Sequence, residues 1–181
     1  MRAAPRKIDD EKELYNASLR ALMRRAYSTY EMRTYLERRA SEESLAGRVV
    51  ARLKHEKLID DARYALEFSR GRATLRKQGR YRIARELRAR GVPDRHIEAA
   101  VAQAFAETDE ALLVRKVIER RLRRAQGPLD QKKLASLYRT LMRAGFDGAL
   151  IRREVQAAAR GSYGEDVGLP SEDLAEPEAA E

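Results

Sequence analysis

The sequence predicts an all-α protein built as an elongated curved array of three tandem three-helix repeats, and three observations lead to this prediction. Good helix formers dominate the chain, Pro and Gly are scarce before its last twenty residues, and runs of β-branched residues are absent. Apolar residues recur at helical spacing. The pattern of one segment also returns roughly fifty residues later, which is typical of repeat architectures.

Apolar stripes predict helices near both ends of this array, because residues three or four apart share one face of a helix. The first stripe consists of Tyr15, Leu19, Leu22, Met23 and Ala26. A second stripe consists of Leu134, Leu137, Tyr138 and Leu141.

Helix boundaries are also legible. Ser28 followed by Glu31 has the spacing of a capping box, and Asp60 or Asp61 can cap the helix that follows. Gly91 ends one helix before Val92-Pro93-Asp94 opens the next. These signals divide the chain into short helices joined by tight turns.

Internal repetition sets the predicted organisation. A shift of 54 residues lays Ile83, Ala84, Leu87, Gly91, Ile97, Val101, Ala104 and Phe105 on Leu137, Tyr138, Leu141, Gly145, Ile151, Val155, Ala158 and Ala159. A shift of 51 in the other direction gives a looser match to Met32, Leu36, Ala40, Ala46, Val50 and Leu53. We therefore predict repeats over residues 12–58, 60–106 and 108–160, a disordered arm over 1–11 and a disordered acidic tail over 162–181.

Charge is segregated along the chain. The net charge is +9, and it becomes +16 for residues 1–161 once the seven acids of residues 162–181, a segment without a base, are set aside. So basic a body favours polyanionic partners, either nucleic acid or an acidic protein surface. The acidic tail either competes for the basic face or serves as a solubilising end.

The residues that catalysis or metal binding would require are scarce. There is no cysteine, and His55 and His96 fall in different repeats, so neither a disulfide nor a zinc motif is predicted. Asp60-Asp61 is explained by helix capping. No phosphate-binding glycine loop and no apolar run of membrane-spanning length is present. We predict no catalytic residue, metal or cofactor, no membrane contact and a cytoplasmic location.

The basic clusters are the candidate binding residues. On the helix that contains Ile83, Ala84 and Leu87, the apolar residues share one face and leave several arginines on the other. Arginine forks bind phosphates or carboxylates bidentately. The predicted binding residues are Arg70, Arg72, Arg76, Lys77, Arg80, Arg82, Arg85, Arg88, Arg90, Arg115, Lys116, Arg120, Arg121, Arg123 and Arg124.

Four segments in order resemble the RecX family of regulatory proteins, modulators of the RecA recombinase. They are "ALMRRAYSTYEMRTYLERR" at 21–39, "LIDDARYALEF" at 58–68, "GRYRIARELRARGV" at 79–92 and "LMRAGFDGALIRREV" at 141–155. The matching residues include Arg25, Ser28, Glu31, Leu36, Gly79, Ile83, Glu86, Leu87, Gly91, Val92, Gly145, Phe146 and Ile151. Met32 and Arg90 stand where the family usually has Leu and Lys, and Ala144 stands where a base is usual.

The resemblance implies a curved array of three-helix repeats and a non-enzymatic activity. A member of this family binds RecA and its nucleoprotein filament, blocks filament extension or promotes disassembly, and lowers strand exchange, ATP hydrolysis and the co-protease activity behind the SOS response. We expect a monomer that contacts RecA, the RecA–DNA filament and single- or double-stranded DNA. The alternative is a basic helical DNA- or RNA-binding module without a dedicated recombinase partner.

Overall fold

The computed structural model describes residues 7–123 and 131–163, with side chains placed as far as Ala159. The described residues form α-helices and one isolated β-bridge between Ile8 and Ala40, which confirms the all-α class. The helices are α1 Glu11–Leu22, α2 Thr29–Glu37, α3 Glu43–His55, α4 Asp61–Thr74, α5 Arg80–Arg88, α6 Asp94–Ala106, α7 Glu110–Leu122, α8 Gln131–Ala144 and α9 Gly148–Tyr163.

The predicted helix signals are found at the expected boundaries. Ser28 Oγ accepts a hydrogen bond from Glu31 N–H at 3.1 Å, and the Glu31 carboxylate accepts from Ser28 N–H at 3.2 Å, which completes the capping box of α2. Of the two candidate caps for α4, Asp60 accepts from the N–H groups of Ala62 and Arg63. The backbone hydrogen bonds lower the pKa of its carboxyl.

The apolar stripe predicted for the first helix is wrong at one end. Leu22 is the last residue of α1, so Met23 and Ala26 leave the helical register and are exposed. Tyr15, Leu19 and Leu22 of the stripe are half-buried against the core, and the fully buried residues of α1 are Leu14, Ala17, Ser18 and Ala21. In the stripe predicted near the other end, Leu134, Leu137 and Leu141 are buried in α8, and Tyr138 is half-buried.

The prediction of a disordered arm over residues 1–11 is also wrong for those of its residues that the structure describes. Ile8 N–H donates to Arg39 O at 2.7 Å, and Ser41 N–H donates to Ile8 O at 2.8 Å. Lys7 Nζ reaches the carbonyl oxygens of Glu37 and Arg38 at the end of α2. Those interactions fix residues 7–10. The predicted tail lies outside the described residues from Gly164 onward, since α9 extends to Tyr163.

The chain divides into two compact units whose borders fall inside helices. The first unit extends to Gly71 and resumes over Ala84–Ala104, and the second consists of Arg72–Ile83 and the described residues from Phe105. In the first unit α3 packs on α1 and α2 around a core that includes Leu14, Met32 and Val49. In the second unit α7, α8 and α9 pack on one another, and Phe146 and Ile151 are buried there.

Candidate basic binding surface

A turn of the second repeat is fixed against the first repeat within the first unit. Gly91, which follows α5, has a φ of +68° and packs so tightly that an added Cβ would lie 2.3 Å from Tyr30 Cγ. Ser28 Oγ donates to Arg90 O at 2.6 Å, and Thr29 N–H donates to Asp61 Oδ1 at 2.8 Å. We call this contact the first junction. It positions the end of α5 relative to α2.

Glu31 is the centre of the first junction. Its carboxylate accepts hydrogen bonds from Arg25 at 3.0 Å, Arg90 at 2.9 Å and the Tyr64 hydroxyl at 3.3 Å, in addition to its capping bond. Burial alone would raise the pKa of this carboxyl, but the hydrogen bonds from Arg25 and the Ser28 N–H together with the two arginine charges outweigh burial and lower it. Glu31 is therefore ionised and holds Arg90 as a structural residue.

An equivalent contact, the second junction, lies in the second unit. Gly145, which follows α8, has a φ of +84°, and an added Cβ would lie 2.3 Å from Arg82 Cβ. Gly79 N–H donates to Ala144 O at 2.8 Å, and Tyr81 N–H donates to Gly145 O at 3.1 Å. Gly145 is thus the counterpart of Gly91, as the 54-residue shift predicts. The second junction positions the start of α5.

Helix α5 presents its arginines as the sequence predicts. Ile83 and Leu87 are fully buried and Ala84 is half-buried, whereas Arg85 and Arg88 are exposed. The amphipathic spacing therefore separates an apolar face from a basic one, although the basic residues differ in how firmly each is held.

Most of the fifteen predicted binding residues have partners of their own. The strongest ion pairs join these bases to acids of other helices: Arg80 pairs with Glu110 at 2.8 Å, Arg88 with Asp94 at 2.7 Å, Arg90 with Glu31 at 2.9 Å and Arg115 with Glu154 at 2.9 Å. Weaker contacts join Arg70 to Glu67 and Arg123 to Glu119. Arg82 donates to Arg143 O, Lys77 donates to Thr74 O, and Arg72 also takes part in a contact. Arg124 lies outside the described residues.

Five predicted residues remain exposed and, within residues 7–123 and 131–159, are not held by any ion pair. They are Arg76, Arg85, Lys116, Arg120 and Arg121. An exposed cation without a carboxylate keeps its full capacity to bind an external anion. We call these five bases the free basic residues; Arg76, Lys116, Arg120 and Arg121 belong to the second unit and Arg85 belongs to the first.

Sequence reasoning missed basic residues in the first unit. Arg24 is exposed and has no ion-pair partner in the described part of the chain. The available signal was the order Met23-Arg24-Arg25, which matches Leu75-Arg76-Lys77 in the next repeat.

A cavity of about 600 Å³ in the first unit brings further cations together around an apolar floor. Arg25 and Arg90 contact its aromatic lining, since their guanidinium groups lie 3.7 Å and 5.1 Å from the ring centres of Tyr27 and Phe68. The cavity is lined by Leu22, Arg25, Ala26, Tyr27, Leu58, Ile59, Asp60, Arg63, Tyr64, Glu67, Phe68 and Arg90.

The described residues show neither a cluster of three metal-ligating side chains nor a membrane span. No group of at least three His, Cys, Asp or Glu side chains with the spacing of a metal site occurs in the part of the chain that the structure describes. Among the described helices, none combines the length and apolarity that a membrane crossing requires.

Comparison with known proteins places this arrangement in a family. Models of the first, second and third three-helix domains of RecX match residues 15–53, 60–101 and 109–155. The Regulatory protein RecX of Halorhodospira halophila is 37% identical over an alignment of 153 residues, and the match covers 82% of this chain and 92% of that protein. The Regulatory protein RecX of Oceanobacillus iheyensis is 30% identical, and the match covers 78% of this chain and 52% of that longer protein.

A solved structure shows the same fold. The crystal structure of RecX from Lactobacillus salivarius superimposes with a TM-score of 0.72 at 20% identity, over 81% of this chain and 95% of that one. The three-helix domains follow one another in the order that the internal repetition predicts. The chain belongs to the RecX family of regulatory proteins.

Proposed function

We propose that this protein is a non-enzymatic regulator that binds RecA and its nucleoprotein filament and inhibits RecA activities. The activities are filament extension, strand exchange, ATP hydrolysis and the co-protease activity of the SOS response. The protein acts as a monomer in the cytoplasm, and both RecA and filament DNA are its partners. Family membership supports the regulatory role, since the relatives are named regulatory proteins.

The observation that carries the proposal is the exposure of the free basic residues. Arg85 on α5 and Arg120 and Arg121 on α7 are exposed, and no carboxylate among the described residues holds them. Such cations contribute long-range attraction to an acidic filament and contact its carboxylates or phosphates once bound. Arg90, by contrast, is held by Glu31 and stabilises the first junction.

The test is a titration of RecA with the purified protein. Single-strand-dependent ATP hydrolysis by RecA is measured at moderate salt while the protein is raised from well below one molecule per RecA protomer to equimolar. We expect inhibition in this range. Inhibition far below equimolar indicates capping of filament ends, and near-stoichiometric inhibition indicates binding along the groove. RecA turnover that is unchanged at every ratio would remove the proposed function.

Charge reversal then tests the free basic residues. The triple variant Arg85→Glu/Arg120→Glu/Arg121→Glu should raise the concentration for half-inhibition by about tenfold or more, because each reversal replaces attraction with repulsion. Arg33→Glu is the matched control, since Arg33 is an equally unpaired exposed arginine of α2 within the described residues. We expect a change below about twofold for the control.

The alternative, a general nucleic-acid-binding module, predicts different results. Its affinity for single strands would fall steeply with salt, with a log–log slope of about −0.7 per neutralised phosphate. It would leave RecA turnover unchanged at moderate salt. Measuring oligonucleotide affinity and RecA ATP hydrolysis at the same salt concentration separates the two functions.

A further inference from the structure

The most exposed large apolar side chains lie in two equivalent turns. Among the described residues, Met23 is 87% exposed and Leu75 is 84% exposed, followed by Tyr81 at 61% and Tyr30 at 56%. Met23 follows α1 and Leu75 follows α4, while Tyr30 and Tyr81 are the second residues of α2 and α5. Exposed apolar residues scattered singly need no explanation, but two matched pairs at the same turn of successive repeats do.

We call residues 23–30 and 75–81 the first and second apolar–basic turns. In each, the exposed aliphatic residue is followed at once by two bases, Arg24-Arg25 in the first turn and Arg76-Lys77 in the second. The third repeat has the same order, Leu122-Arg123-Arg124, although Leu122 is half-buried and Arg124 lies outside the described residues. The order therefore occurs at the end of the first helix of every repeat.

The two bases of each turn have different roles. One base holds the turn: Arg25 pairs with Glu31 at 3.0 Å, and Lys77 Nζ donates to Thr74 O at 2.5 Å. The other base, Arg24 or Arg76, is exposed and has no ion pair with any described residue. Each turn thus presents one aliphatic side chain beside one unpaired guanidinium.

Backbone hydrogen bonds fix the conformation of both turns. In the first turn, Arg24 N–H and Arg25 N–H donate to Ala21 O at 3.1 and 3.3 Å. In the second, Lys77 has a φ of +54° and Gln78 N–H donates to Arg72 O in the last turn of α4 at 3.1 Å. A turn fixed in this way loses little conformational entropy on binding.

We infer that the apolar–basic turns are docking elements for an acidic protein surface, in which an aliphatic pocket lies beside a carboxylate. This inference rests on the proposed function and names the residues that would contact the partner protein. Tyrosine and arginine would also suit single-stranded DNA, on which they stack. A phosphate backbone, however, offers no apolar pocket for Met23 and Leu75. A protein partner therefore accounts for the aliphatic residue of each turn as well as for its tyrosine and its arginine.

Two copies of one docking element fit an assembly of identical subunits. The first apolar–basic turn belongs to the first compact unit and the second apolar–basic turn to the second. Each turn can contact its own copy of the same pocket, so removing both turns should weaken binding more than removing one.

The experiment removes the aliphatic groups without changing charge. Met23→Gln, Leu75→Gln and the double variant are titrated in the RecA ATP hydrolysis assay, with wild type measured alongside. Each single change should raise the half-inhibitory concentration about 5- to 10-fold, and the double change should raise it by about 30-fold or more. Leu112→Gln is the control, because Leu112 is an exposed apolar residue of α7 outside both turns. The control should stay within about twofold.

Separate outcomes address the inference and the proposed function. Absent inhibition by wild type contradicts the proposed function. Inhibition by wild type together with equal inhibition by the double variant overturns the inference and leaves the proposed function standing. Affinity for a labelled single-stranded oligonucleotide, measured without RecA, should stay within about twofold for the double variant. If the double variant loses affinity for the oligonucleotide by as large a factor as it loses inhibition, the turns bind DNA and the inference is wrong.

A second pair of changes tests the same turns through their charge. Arg24→Gln/Arg76→Gln should weaken inhibition about 10-fold, against less than about twofold for Arg33→Gln. Met23, Leu75, Arg24 and Arg76 are all exposed. The melting temperatures of the variants at these four positions should therefore match that of wild type. Unchanged inhibition by this double variant, which lacks both positive charges, also counts against the docking role.

Discussion

The two junctions use the same backbone geometry and different chemistry. In both, a glycine with positive φ follows the second helix of one repeat. This glycine contacts the start of the second helix of the preceding repeat. The first junction is closed by side chains: the Ser28 hydroxyl donates to Arg90 O, and Glu31 binds Arg90. The second is closed by the main chain, since Gly79 N–H donates to the equivalent carbonyl of Ala144.

This difference shows that both junctions need the left-handed glycine, whereas the hydrogen-bond donor to the preceding carbonyl can differ. A carbonyl that precedes the left-handed glycine needs one donor, and either a hydroxyl or a backbone N–H supplies it. Where the donor is Gly79 N–H, the absence of a side chain lets the two backbones approach closely. Where the donor is Ser28, its hydroxyl reaches the carbonyl of Arg90, and the Glu31 carboxylate binds the Arg90 side chain.

The largest expected effect tests the close approach in the second junction. An alanine at Gly79 would place its Cβ 2.2 Å from Gly145 O and 2.5 Å from Phe146 N, and both are backbone atoms that cannot rotate away. Gly79→Ala should lower the free energy of unfolding by about 3–4 kcal/mol. Chemical denaturation monitored by circular dichroism measures it.

Gly47 in α3 is the control for this change, because an added Cβ there meets nothing within 4 Å. Gly47→Ala should raise the free energy of unfolding by about 0.5–1 kcal/mol, since alanine favours the helix. A loss below about 1 kcal/mol for Gly79→Ala would show that the backbones are not in close contact.

The next effect tests the charged network of the first junction. Glu31→Ala leaves Arg90 without its carboxylate, and the Arg90 side chain is only 32% exposed. The free energy of unfolding should fall by about 2–3 kcal/mol. Arg82 occupies the equivalent position of the second junction, where Arg82→Ala should cost less than about 1 kcal/mol. Equal losses in the two variants, measured by denaturation, would refute the contrast between the junctions.

A smaller effect is expected at Ser28. Its hydroxyl both caps α2 and donates to Arg90 O, so Ser28→Ala removes one cap and leaves one carbonyl without this donor. The free energy of unfolding should fall by about 1–2 kcal/mol. A loss below about 0.5 kcal/mol for Ser28→Ala, measured by denaturation, would mean that the hydrogen bonds of Ser28 contribute little to stability.

The smallest effect is a difference in pH dependence. The pKa of Glu31 is lowered in the folded protein, so its contribution to stability is complete above the unfolded pKa of about 4.3 and is lost as pH falls through the folded pKa. The stability difference between wild type and Glu31→Gln should therefore shrink when denaturation is measured at pH 3 instead of pH 6. A difference that grows towards pH 3 would contradict the lowered pKa.

Sequence alone determined the local features of this protein. The capping box of Ser28 and Glu31, the cap at Asp60 and the glycines at 91 and 145 follow from interactions within a few residues, and each lies where its pattern predicts. The helical class and the three repeats follow from periodicity, which depends on the order of residues and not on distant contacts.

The tertiary structure decided which of the basic residues are held and which are free. Arg90 pairs with a carboxylate 59 positions away and Arg115 with one 39 positions away, and neither acid belongs to the basic cluster that the sequence singles out. The exposure of Met23 likewise depends on where α1 ends. The physical reason is range: backbone preferences act within about one helical turn, whereas an ion pair or a close backbone approach exists only when folding brings two remote surfaces together.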